Sequence, residues 1–105
     1  MDPQIKRGII ELLVISLLTK KDYYGYILME DVSEFLDVSD SALYPILRRL
    51  ETDGCLETYT QEFNGRLRKY YKITEKGIQK LSIAKNDWKI LKKIYSHILG
   101  GEIDE

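Results

Sequence analysis

The segment from Leu43 to Gly77 constrains the fold more than any other part of this 105-residue chain. It begins with apolar residues at the spacing of one buried helix face, and Gly54 then supplies a helix stop. These apolar positions are Leu43, Ile46, Leu47 and Leu50. The residues that follow are strand-forming types, so the segment predicts a helix, a short β-ribbon and a new helix start.

The ribbon is predicted as two strands, Leu56 to Gln61 and Leu67 to Thr74. They are joined through Asn64 and Gly65, a dipeptide suited to the positive φ angles of a tight turn. The ribbon is also rich in cations, namely Arg66, Arg68, Lys69 and Lys72. A helix with polar and arginine side chains on its outer face, followed at once by a basic ribbon, is what a winged helix presents to DNA.

Two helices are predicted before this segment. Asp2 and Pro3 form a good helix opening, and the first helix is expected to run to about Lys20. Its apolar residues cover more than one face between Ile9 and Leu18, so it must be buried on two sides. The second helix is predicted from Gly25 to Leu36, with inward positions Ile27, Leu28, Val32, Phe35 and Leu36.

The start of the third helix is ambiguous. Residues 37–40 form a turn, and the short polar residues Ser39, Asp40 and Ser41 are all credible N-caps. Pro45 removes one backbone donor, so the helix either begins near Ser41 or bends at the proline.

The last helix, Glu75 to Leu99, carries a heptad seam. The seam consists of Leu81, Ala84, Trp88, Leu91, Tyr95 and Ile98. A second stripe, Ile83, Ile90 and Ile94, lets one face pack on the protomer while the seam meets another helix. Both stripes could instead cover the domain's own core, but together with the first helix they favour a two-fold dimer. The fold class is therefore mainly α with a small β-hairpin: a winged helix-turn-helix over 1–74, a dimerisation helix over 75–99 in the same compact unit, and a tail over 100–105.

The charge distribution matters more than the total. A net charge of −1 and a pI of about 5.9 argue against nucleic-acid binding. However, residues 22–40 hold six acids and no Lys or Arg, whereas residues 64–80 hold six bases and one acid. No apolar run has the roughly 20 residues of a membrane span, there is no signal-peptide layout, and Cys55 is a single cysteine. We therefore expect a cytoplasmic protein without a membrane partner.

The motif combination resembles the PadR family of bacterial transcription regulators. The matching residues are Tyr24-Gly25, Leu43-Tyr44-Pro45, Leu47, Leu50, Gly54, Gly65-Arg66, Arg68-Lys69-Tyr70-Tyr71, Thr74 and Gly77. With only one helix after the ribbon, the chain looks like the short subfamily. The resemblance implies a repressor that acts as a homodimer on a pseudo-palindromic operator and is released by an effector or another signal.

The residues predict how such a protein would contact DNA. On the third helix, Ser41 and Tyr44 suit phosphate or base contacts, and Arg48 suits a guanine edge or a phosphate. In the ribbon, Arg66, Arg68 and Lys69 suit the backbone or the minor groove. Arg48 and Arg49 could alternatively be solvated cations paired with Glu51 or Asp53. Tyr71 shares a face with Ile73 and is the better core candidate of the two ribbon tyrosines, and neither Tyr70 nor Tyr71 is assigned to DNA.

The resemblance also implies an effector site. Some family members stack flat aromatic drugs on a Trp of the last helix, and Trp88 matches that position. Ile9 and Leu12 are plausible walls, and simple interface packing of Trp88 is the alternative. Lys85, Lys89 and Lys92 surround Trp88 in sequence, which favours neutral or anionic aromatics over cationic ones.

No motif for catalysis, a metal or a cofactor is present in the sequence. The single His97 and Cys55 lie far apart in sequence, and a buried hydrophobe is the expected role of Cys55, with a redox switch as the alternative. An interaction module that has lost DNA binding and a small enzyme using the dimer cavity remain as other functional classes.

Overall fold

A computed structural model describes residues 1–101 and confirms the winged-helix architecture with one long helix after the hairpin. Residues 102–105 of the predicted tail lie outside the described part. The elements are α1 (Pro3–Leu18), β1 (Tyr23–Tyr24), α2 (Gly25–Phe35), α3 (Asp40–Thr52), β2 (Leu56–Phe63), β3 (Arg66–Ile73) and α4 (Glu75–Ile98). Within residues 1–101, none of the helices combines the length and the apolar character that crossing a bilayer requires.

Side-chain caps fix where three helices begin. Asp2 Oδ2 accepts hydrogen bonds from the amides of Gln4 and Ile5, both at 3.1 Å, which starts α1. Ser39 caps α3 through its hydroxyl oxygen, which accepts from the Ala42 amide at 3.3 Å. Thr74 caps α4 in the same way, because its hydroxyl oxygen accepts a hydrogen bond from the Gly77 amide at 3.2 Å.

Pro45 lies inside a continuous α3, which begins at Asp40. The proline deprives the helix of one bond, the one that would end on the carbonyl of Ser41. Since Ser41 is exposed, water can satisfy that carbonyl, and the helix continues without a new start.

The sheet has three antiparallel strands in the order β1-β3-β2, so the prediction of only two strands was incomplete. The third strand is β1, two residues that lie between the first two predicted helices. In it, Tyr23 pairs with Tyr71 and Tyr24 with Tyr70. We call the β2–β3 hairpin the wing. Its turn has φ of 52° at Asn64 and 77° at Gly65, in agreement with the predicted tight turn.

The core lies between the helices and the proximal end of the sheet. Its centre is formed by fully buried side chains of the first three helices, namely Ile10, Ile15, Val14, Leu18, Leu28, Val32, Leu43, Leu47 and Leu50. Tyr71 and Cys55 are also buried, as expected. The prediction that Ile27 and Phe35 face inward was wrong. Both are exposed, Phe35 to 69%, because α2 buries only one side.

The packing of α4 differs from the predicted assignment of its two stripes. Leu81, expected to face a second subunit, is only 8% exposed and belongs to the protomer's own core. The second stripe, expected to pack on the protomer, is exposed at Ile83, Ile90 and Ile94. Successive residues of a helix are 100° apart, which places this stripe on the side of α4 opposite Leu81.

Candidate nucleic-acid interface and interhelical groove

The outer face of α3 presents Ser41, Tyr44 and Arg48 to solvent. They lie away from the four buried positions, which all point into the core. The Ser41 hydroxyl is 3.1 Å from that of Ser39, at the start of the helix. An α-helix presented in this way has the dimensions to enter the major groove of DNA.

A notch of about 290 Å³ separates α3 from the wing. It is lined by Tyr44, Arg48, Glu51, Lys69 and Tyr71. The fold therefore brings together three predicted DNA residues from two separate segments, Tyr44 and Arg48 from the helix and Lys69 from the wing. Burial, reinforced by the neighbouring Tyr44 and Glu51, raises the pKa of Tyr71, so its phenol stays neutral there.

Glu51 is a notch residue that the sequence did not assign to the site. Its carboxylate accepts a hydrogen bond from Thr58 Oγ1 at 3.1 Å and lies 4.0 Å from Lys69 Nζ. The sequence offered one indication of this role: Glu51 lies one helical turn after Arg48, and side chains at that spacing are neighbours on a helix. Arg49 points to the other side of α3, where it pairs with Glu11 at 4.0 Å, so neither of its predicted partners is used.

Arg68 lies on the opposite face of the wing from Lys69, because successive strand residues alternate between faces. Its guanidinium carbon is 4.5 Å from the ring centroid of Tyr24 and 4.0 Å from that of Phe63. Arg66 is exposed at the wing tip, next to the turn. The three predicted wing cations are therefore not equivalent: Lys69 faces α3, Arg66 is at the tip, and Arg68 is stacked on aromatic rings.

A groove of about 830 Å³ runs between α1 and α4. It collects the three predicted effector residues, Ile9, Leu12 and Trp88, together with Leu91 and Tyr95 of the predicted seam. A second hollow of about 460 Å³ shares Ile9, Leu12 and Trp88, and extends the apolar surface towards Ala84 and the exposed Phe35. Trp88 stands between the two with 45% of its surface exposed. Ile98 is exposed and lines neither cavity.

The groove has a one-sided charge. Lys85, Lys89 and Lys92 belong to its lining, which contains no Asp or Glu among the described residues. Trp88 adds a flat ring to the same lining, so the groove suits a flat, apolar molecule without positive charge.

No group of three or more His, Cys, Asp or Glu within residues 1–101 is arranged to hold a metal ion. Cys55 is a free, buried thiol.

Comparisons with known proteins agree with this geometry. The family model described as "Transcriptional regulator PadR-like family" matches residues 14–83, which include α2, α3 and the wing. A transcriptional regulator of Mycobacterium tuberculosis, Rv3488, is 29% identical over 100 residues, covering 94% of this chain and 91% of its own.

Two solved structures are similar over nearly the whole fold. The Streptococcus mutans protein smu.1704 has a TM-score of 0.83 and 37% identity, covering 94% of this chain and 93% of its own. A PadR family transcription regulator from Clostridium difficile has a TM-score of 0.80 and 33% identity, covering 86% and 97%. Since the family model matches residues 14–83, which is more than half of the chain, and the two structures are similar over most of it, the chain belongs to the PadR-like family of transcriptional regulators.

Proposed function

We propose that this regulator is a repressor that binds a pseudo-palindromic operator as a homodimer. The observation that carries the proposal is the convergence of Tyr44 and Arg48 of α3 with Lys69 of the wing around one notch. A helix in the major groove with a basic hairpin beside it supplies both base readout and phosphate contacts. Such a protein works where the chromosome is, so the proposal includes the cytoplasm as its location.

The proposed DNA contacts divide by element. Arg48 reads a guanine edge or binds a phosphate, while Ser41 and Tyr44 bind phosphates or base edges. Arg66 and Lys69 of the wing contact the backbone or the minor groove. Arg68 is left out of this set, because its guanidinium is packed between two rings on the other face.

The dimer is proposed to form through α1 and α4. Two apolar surfaces of α4 are open in the protomer, the groove beside α1 and the stripe Ile83, Ile90 and Ile94 on the opposite side. Exposed apolar surface of this extent on a 105-residue chain is typical of a subunit interface. In the proposed pair, Ala84, Trp88, Leu91, Tyr95 and Ile98 contribute to the interface. Two-fold symmetry then sets the recognition helices about 34 Å apart, one turn of DNA.

The groove is also the proposed effector site. A flat aromatic molecule stacked on Trp88, with Ile9 and Leu12 as walls, would change how the two protomers pack and thereby the spacing of the recognition helices. The lysines at the groove favour a neutral or anionic molecule. Quenching of Trp88 fluorescence by an anionic dye at lower concentration than by its cationic counterpart is the expected result, and equal quenching would contradict the charge preference.

DNA binding is tested by titrating the protein with DNA from its own upstream region at two salt concentrations. We expect salt-sensitive binding, loss of sequence discrimination in Arg48→Ala and a broad loss of affinity in Arg66→Ala. Arg49→Ala is the matched control, because Arg49 lies next to Arg48 but points to Glu11. Binding no tighter than to random DNA would favour an interaction module, and the search would move to protein partners.

The dimer is tested by measuring the mass in solution. We expect twice the 12.3 kDa of one chain for the wild type and a shift towards the single-chain mass in Leu91→Lys. Ser82→Lys is the control, because Ser82 is exposed on α4 and lines neither cavity. A wild-type mass of 12.3 kDa at micromolar concentration would refute this interface.

A further inference from the structure

Arg68 is the centre of an aromatic cluster on the wing face that points away from α3. Its guanidinium lies between the rings of Tyr24 and Phe63, at 4.5 and 4.0 Å from their centroids. The ring of Tyr24 also contacts Tyr70 at 6.1 Å, and Tyr70 stacks on Tyr59 at 5.4 Å with an interplanar angle of 10°. The Tyr59 hydroxyl donates to Asp22 at 2.7 Å, which ties β2 to the segment before β1.

This cluster joins two parts of the sheet that backbone bonds do not join. β1 pairs with β3 only at Tyr70 and Tyr71, so the wing beyond them is a two-stranded ribbon. An isolated two-stranded ribbon is marginally stable in water. Phe63 is the last residue of β2, next to the turn, whereas Tyr24 belongs to β1. Arg68 contacts both rings and so connects the wing tip to the three-stranded base.

We propose that Arg68 is a positioning residue that clamps the wing to β1, and that its charge is not used to bind a DNA phosphate. The proposal rests on the wing contacting DNA, as argued above. Arg68 would act on DNA binding through Lys69 and Arg66, because both belong to the same strand, β3, whose position Arg68 fixes. A planar guanidinium is suited to this position because it can stack on two rings at once, which a lysine ammonium cannot do.

The salt dependence of DNA affinity separates a clamp from a phosphate contact. Each phosphate contact contributes about −0.9 to the slope of log K against log salt concentration. We expect Arg68→Gln to weaken binding roughly three- to tenfold, the factor for one or two exposed cation–π contacts, while the slope stays that of the wild type. Lys69→Gln is the comparison variant, and its slope should flatten by about 0.9.

Two further variants sharpen the distinction. Phe63→Leu removes one ring and no charge, and we expect it to reproduce the weaker binding of Arg68→Gln at an unchanged slope. Arg68→Lys keeps the charge without the double stacking, and we expect it to restore little of the affinity. A flattened slope in Arg68→Gln together with full rescue by Arg68→Lys would overturn the proposal and make Arg68 a phosphate contact.

A measurement without DNA tests the clamp independently of the proposed function. Amide hydrogen exchange of residues 60–68 should be several-fold faster in Arg68→Gln and in Phe63→Leu than in the wild type, and unchanged in Arg66→Gln, whose charge lies at the tip. Wild-type exchange rates in Arg68→Gln would overturn the proposal. Faster exchange in a protein that fails to bind any DNA would support the clamp and refute only the DNA-binding role of the wing.

Discussion

Gly77 is the position where a single added methyl group has the clearest structural consequence. It is the third residue of α4 and packs against Cys55, the residue just before β2. A Cβ at position 77 would overlap the Cys55 carbonyl oxygen and lie 2.9 Å from Ile73 Cγ1. The carbonyl is backbone and cannot rotate away, so Gly77→Ala must push α4 outward.

The magnitude follows from three terms. Overpacking of a buried site costs about 1–3 kcal/mol. The outward shift also strains the hydrogen bond that the Thr74 amide donates to the Cys55 carbonyl at 3.1 Å. Such a hydrogen bond contributes about 1 kcal/mol to stability. Against these two costs, alanine stabilises the helix by about 1 kcal/mol relative to glycine, because it is the better helix former. We therefore expect the free energy of unfolding to fall by about 1–3 kcal/mol, and the Tm by at least about 4 °C.

Urea denaturation followed by circular dichroism, at one fixed protein concentration, measures this change. Ser82→Ala on the same helix is the control, and it should stay within about 0.5 kcal/mol of the wild type because Ser82 is exposed. A Gly77→Ala protein as stable as the wild type would refute the reasoning, since it would mean that the helix start moves freely.

Three further predictions concern single contacts. Asp2→Ala should lower stability by about 1 kcal/mol, because α1 loses the cap on two amides, and an unchanged urea midpoint would contradict the cap. The Tyr23 hydroxyl donates to Asp31 at 2.6 Å, which with burial raises the pKa of Tyr23 to about 12. The hydrogen bond therefore stabilises the fold below pH 10 and is lost as the pH rises from about 10 to 12. The difference in the free energy of unfolding between the wild type and Tyr23→Phe should shrink over that range. A constant difference would show that the hydrogen bond does not titrate. Glu51→Gln should free Lys69 and tighten binding to random DNA with a steeper salt dependence, and weaker binding would indicate that Glu51 itself contacts bases.

Much of the fold was predictable because the signals are local. Asp2 and Thr74 start helices through bonds to amides two or three residues away, and Asn64-Gly65 closes a hairpin between adjacent strands. The apolar spacing of α3 identified its four buried residues. Each of these patterns involves neighbours in sequence, so neither the rest of the chain nor a partner is needed to interpret it.

The candidate site was predictable as a set of residue types but not as an arrangement. Arg68 and Lys69 are adjacent in sequence and both basic, yet one stacks on Tyr24 and the other faces Arg48. Strand alternation implied that they point to opposite faces. Which of the two wing faces packs towards α3 depended on how the sheet packs against the helices.

The sequence by itself determined the helices, the hairpin and the basic character of the wing, because capping, periodicity and turn chemistry act over a few residues. Only the tertiary structure decided that residues 23–24 form a strand, since their partners lie nearly fifty residues away in β3. The tertiary structure also decided which stripe of α4 is buried. Both stripes are apolar, and only the position of α1 buried Leu81 and left Ile83, Ile90 and Ile94 exposed.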